Sequence, residues 1–112
     1  MPEEYLQLVN ALKGLALPMA EDGWETRPDV TSYGVVAMDF ETLALYGDDR
    51  KVATAYEGSV DLFSRNKHGA GWVEEITGIL TEHCGGCWSL NSHQHERDTG
   101  LFHWEWTFQI ED

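Results

Sequence analysis

Twenty acidic residues against seven basic ones give this 112-residue chain a formal net charge of −13 at neutral pH, on a composition 42% apolar and 12% aromatic. The length fits a single α+β-sized domain, residues 1–112, that can bury a core without disulfides or metal, and the apolar content sets disorder aside. So acidic a surface repels phosphate backbones and anionic membranes, which argues against specific or non-specific nucleic-acid binding, and no apolar run approaches the roughly 20 residues of a membrane span.

The opening, MPEEYLQLVN, has acids where a secretory signal has bases and an apolar stretch, so the expected compartment is a reducing cytoplasm. The stretch PEEYLQLVNALKGLAL predicts the first helix. Pro2 suits a first turn, Glu3 and Glu4 favour the positive end of the helix dipole, and Pro18 ends the element. Tyr5, Leu8, Val9, Leu12, Leu15 and Ala16 recur at spacings of three and four and form its apolar face.

MAEDGWETRPD reads as a weak strand and a loop broken by Gly23 and Pro28. Residues 33–40, YGVVAMDF, form a nearly continuous apolar run and predict a central strand; a turn signal follows at Gly47, Asp48 and Asp49. Residues 51–65 predict a long alternating strand with Val52, Tyr56, Val60 and Leu62 on one face. Glu57, Ser59 and Asp61 take the other face, and Gly58 is the expected position of a bulge.

After the turn NKHGAG, WVEEITGILTEHC predicts a second helix with Trp72, Val73, Ile76, Ile79 and Leu80 on one stripe, stopped by Gly85 and Gly86 in the left-handed conformation. WSLNSHQH, the turn ERDTG and LFHWEWTFQI then predict a closing hairpin. In its last strand Phe102, Trp104, Trp106, Phe108 and Ile110 share a face opposite His103, Glu105, Thr107 and Gln109. The order is α-β-β-β-α-β-β. Strands grouped between helices imply an α+β fold: one mixed, mainly antiparallel sheet with two helices on its aromatic face.

The chemistry of the closing stretch can be read two ways. Cys84, Cys87, His93 and His95 place four metal-ligating side chains within twelve residues, and Cys-x-x-Cys is a zinc-knuckle spacing. Against a chelate, only five residues separate the two pairs, and the second pair sits in a strand. A thioredoxin-like role needs a thiolate, which the C-terminal end of a helix and the flanking Glu82 both disfavour. The acids Asp39, Glu41, Asp48 and Asp49 could be grouped as a metal site for phosphoryl transfer, but Asp48 and Asp49 beside Gly47 are explained as a turn. No Gly-x-Ser-x-Gly, P-loop or His-Glu-x-x-His motif is present. The reading is a non-enzymatic chain with no catalytic residue, no cofactor and no assigned metal ligand, working through its surfaces.

Three stretches resemble the small tail-terminator or tail-completion (head–tail joining) proteins of long-tailed bacteriophages and prophages. YGVVAMDF resembles that family's first long central strand. YGDDRKVATAYEGSVDLFSRN resembles its turn and following strand, with Val60, Leu62, Phe63, Ser64 and Arg65 in the closing pattern. HERDTGLFHWEWTFQIED resembles its final hairpin, whereas the Cys and His pairs depart from the pattern. The resemblance implies a virion structural protein assembled in the host bacterial cytoplasm. It implies a ring, typically hexameric, that caps the tail-tube protein and joins it to the head connector in the tail or neck. It also implies an acidic bore for DNA passage, with Asp48 and Asp49 as candidate lining residues. The alternatives are a head-completion or neck adaptor and, less well matched, a tail-tube subunit. Outside that class stand a small cytoplasmic zinc module built on Cys84, Cys87, His93 and His95, and an acidic DNA mimic, for which the scattered acids are poorly arranged.

Overall fold

The computed structural model describes residues 3–21, 31–47, 50–97 and 99–111, with the side chains of 39–47, 50–55 and 111 outside that description. Helix α1 spans Glu3–Lys13, strands β1, β2 and β3 span Met19–Glu21, Ser32–Gly47 and Arg50–Ser64, helix α2 spans Trp72–Cys84, and strands β4 and β5 span Trp88–Glu96 and Leu101–Glu111. The five strands form one sheet in the order β1-β2-β3-β5-β4, with β1 parallel to β2 and every other pair antiparallel. The α+β expectation and its element order therefore hold.

Both helices lie on one face of the sheet. Tyr5, Leu8, Val9 and Leu12 of α1 and Ile76 and Leu80 of α2 share a core with Val36, Val60, Leu62, Trp104, Trp106, Phe108 and Ile110. Each buried aliphatic side chain in such a core contributes roughly 1.5–3 kcal/mol. α1 is shorter than its apolar pattern suggests. Gly14 N–H donates to the carbonyls of both Asn10 and Ala11, and Leu15 N–H to Leu12, so the last turn tightens and ends before Leu15 and Ala16 continue the helical face. α2 matches its expected span. Two indoles seat it on the sheet: Trp106 Nε1–H donates to Thr77 Oγ1 at 3.3 Å, and Trp88 Nε1–H to Thr81 Oγ1 at 3.1 Å.

Two features of the sheet differ from the sequence reading. β2 continues seven residues past Phe40, antiparallel to β3 as far as Gly47↔Arg50, whereas β5 accompanies β3 only to Ala55↔Glu111. The β2–β3 pair thus runs on as an arm about 16 Å beyond the rest of the sheet, from the usual rise per strand residue. The molecule is correspondingly elongated, 52 × 26 × 23 Å. The opposite face is also not simply polar: Tyr33, Val35, Phe63 and Leu101 form a second buried cluster there.

The bulge expected at Gly58 belongs instead to the partner strand, where the register shifts between Met38 and Phe40. Gly58 itself pairs regularly with Met38 and with Phe108. Its role is close approach. A Cβ there would collide with Cζ of Phe108 and lie 2.6 Å from the carbonyl oxygen of Ala37. The ring can swing away, but the backbone oxygen belongs to the paired strand. Gly58→Ala is expected to cost roughly 1–3 kcal/mol, the range for overpacking. Urea unfolding of the variant measures it, and a midpoint equal to that of the parent chain would contradict the tight approach.

Candidate functional site

Three groups of chemically capable side chains stand out, and they lie apart from one another. The first is the cysteine pair. Cys84 is the last residue of α2, and Gly85 (φ 59°, ψ −126°) turns the chain so that Cys87 N–H donates to Cys84 O at 3.0 Å. That backbone is a type II′ turn, which suits glycine at its first central position, rather than the simple left-handed helix stop expected from Gly85 and Gly86. Cys84 is half-buried and Cys87 exposed, and both are free thiols. Burial, with a smaller contribution from the neighbouring Cys87, pushes the Cys84 thiol up to about 11. A thiolate at Cys84 is therefore disfavoured. Cys87 opens onto a shallow cleft of about 290 Å³ shared with Glu57, Ser89, Thr107 and Gln109.

The second group is the histidine pair on β4. His93 and His95 pair with Trp104 and Phe102 of β5, on the helix-bearing face. The His93 ring stacks on Trp104 at 4.6 Å between centroids, and the His95 ring on Phe102 at 4.4 Å. Both histidines are exposed. From Trp88, next to Cys87, to His93 is five residues of strand, roughly 16 Å at the usual rise. The four residues of the zinc alternative are therefore not brought together. Among the described residues, no three His, Cys, Asp or Glu side chains cluster closely enough to hold a metal ion.

The third group was not read from the sequence. On the face away from the helices, Tyr33, Phe63 and His103 are directly paired across β2, β3 and β5, and their rings stack at 4.9 and 4.2 Å. His103 Nε2 also meets Asp61 Oδ1 at 2.7 Å, with both side chains 16% exposed. Burial alone would lower the imidazole pKa. The hydrogen bond and charge of Asp61, with the charges of Glu96 and Glu105, outweigh it and hold His103 above its usual 6.5. A half-buried imidazole held on a carboxylate in this way is an ion pair whenever the ring is protonated. Among the described residues the hydrogen-bond partner of His103 is Asp61 alone.

Of the acids grouped as a phosphoryl-transfer site, Asp48 and Asp49 lie outside the described residues, as do the side chains of Asp39 and Glu41. What the described surface offers is backbone. Among the described residues, β4 is hydrogen-bonded to β5 on one side only, and β2 has β1 beside it only at Gly34, Val35 and Val36. Leu90, 44% exposed, stands on that β4 edge. Among known proteins, no family model matches this chain and no curated protein matches it in sequence.

Proposed function

We propose that this chain is a tail terminator of a long-tailed bacteriophage or prophage: a ring-forming structural protein that caps the tail tube and joins it to the head connector. The observation that carries the reading is a pair of sheet edges left open among the described residues, β4 on one side of the sheet and β2 beyond Val36 on the other. Two different edges favour a heterologous, head-to-tail contact, and repetition of such a contact closes into a ring when its rotation permits. The α-β-β-β-α-β-β order and the β2–β3 arm support it further, since an arm that leaves the sheet can reach a neighbouring subunit or the tube. The formal charge of −13 fits a ring through which DNA slides without being gripped.

Native mass spectrometry over a concentration series, on protein prepared without chelator, tests the reading. Metal-free closed rings, hexamers above all, are the expected result. Leu90→Lys is expected to leave the monomer folded and to raise the concentration at which rings form about tenfold, the equivalent of roughly 1.4 kcal/mol from one uncovered apolar contact. A monomer that carries one zinc, lost when Cys84 and Cys87 are changed to serine, would overturn the proposal in favour of the metal module. Rings that bind a head connector but not tail tubes would move the chain to the neck.

A further inference from the structure

The turn between α2 and β4 holds two sulfur atoms in a position that the ring proposal does not use. The hydrogen bond from Cys87 N–H to Cys84 O closes a four-residue turn. Such a turn keeps its end Cα atoms within about 7 Å, inside most of the range that a disulfide spans. Neither end is loose. Gly85 N–H donates to Thr81 O in the last turn of α2, and Cys87 O accepts from Gln109 N–H on β5. The two cysteines are thus fixed to the helix and the sheet respectively, with two glycines between them to absorb a small adjustment. Their access differs: Cys87 is exposed at its cleft, whereas Cys84 is half-buried against the helix-bearing core.

We propose that Cys84 and Cys87 are a reversible dithiol–disulfide pair, oxidised by a low-molecular-weight disulfide of the glutathione type that enters at Cys87. In the first step Cys87 gives its proton to solvent, and its thiolate attacks one sulfur of the external disulfide. The external S–S bond breaks, a mixed disulfide forms on Cys87, and the departing thiolate takes up a proton. Cys84 then loses its proton to solvent and attacks the Cys87 sulfur. The mixed S–S bond breaks, the second external thiolate leaves and is protonated, and the Cys84–Cys87 bond is made. Two protein thiols are oxidised by two electrons in total, and one external disulfide is reduced to two thiols. The order follows from access, since an approaching disulfide meets Cys87 first. It is reinforced by the raised pKa of Cys84, which disfavours its thiolate as the first nucleophile. The closed form ties the end of α2 to the start of β4, the joint on which the exposed edge strand hangs.

Intact-mass measurement of the whole chain during incubation with oxidised glutathione tests the pair, with circular dichroism to confirm that each variant is folded. The parent chain is expected to end as a species lighter by two hydrogen atoms, restored by a reducing dithiol. Cys84→Ser should stop at a single glutathione adduct on Cys87. Cys87→Ser should be modified at least about tenfold more slowly than Cys84→Ser, because its remaining thiol is shielded and protonated. A stable adduct on the parent chain without ring closure would overturn the proposal. So would equal modification rates in the two serine variants.

Discussion

Trp106→Ala is expected to be the most damaging single truncation in the described core, lowering stability by roughly 3–5 kcal/mol. The reason is position as well as size. Trp106 is fully buried on the helix-bearing face of β5, directly paired with Val60 of β3 and Leu90 of β4. Its indole N–H also donates to Thr77, so truncation leaves a cavity and removes one of the two hydrogen bonds from the sheet tryptophans to α2. Set against a total of roughly 5–15 kcal/mol for a domain, the loss consumes a large share of the margin. With a urea slope of about 1–3 kcal/mol per molar, the midpoint should fall by one to several molar. Circular dichroism in urea reads this without relying on the deleted fluorophore. Trp106→Phe keeps most of the apolar volume and should cost clearly less. If Trp106→Ala unfolded within about 0.5 kcal/mol of the parent chain, as surface changes do, the packing described for this face would be wrong.

How much of this was legible beforehand varies from element to element, for physical reasons. α2 was readable residue by residue, because its stripe follows one period and glycines bound both ends. β5 was readable for the same reason: large apolar residues at every second position find one core, and Phe102 through Ile110 all reach it. The far half of β2 was not readable as strand. Its pairing with β3 slips between Met38 and Phe40, between Glu41 and Leu43, and between Leu45 and Tyr46, and each slip breaks the alternation on which a strand is recognised. Gly58 was misread because a glycine in a strand signals either a bulge or a close approach, and only the partner strand says which.

The candidate sites divide along the same line. The cysteine turn was visible as a helix stop, since the signal is local. The link between the cysteines and His93 and His95 was a matter of spacing alone. Spacing does not register that β4 runs straight away from the turn and lays the two imidazoles on Trp104 and Phe102. Asp61 and His103 stand 42 residues apart, and their meeting depends on the β3–β5 register, which sets Asp61 against Glu105 and Phe63 against His103. The pair is a diagonal neighbour across two strands. The shared parity of Asp61 and His103 on their strands was the available clue, but without the register it named no partner.

That pair makes stability depend on pH in a direction fixed by its sign. His103 is held above its ordinary 6.5 in the folded chain, so the folded state binds a proton more tightly there than the unfolded state does. The resulting stabilisation is fully present below 6.5 and is lost as pH rises through the elevated value. Asp61→Asn removes the charge that supplies most of the upward shift while keeping the shape and one acceptor. In acid the variant should be less stable than the parent chain by roughly 1.5–3 kcal/mol, the worth of a hydrogen bond to a charged group. Once His103 is neutral in both proteins, the gap should narrow. The imidazole titration followed by NMR should move down in the variant, though not fully, because Glu96 and Glu105 still act on the ring. His103→Gln should flatten the same pH dependence while leaving Asp61 in place, which separates the imidazole from every other titrating group. A stability gap for Asp61→Asn that stays constant across the range would mean that His103 is neutral throughout, and that the contact at 2.7 Å is an ordinary hydrogen bond rather than an ion pair.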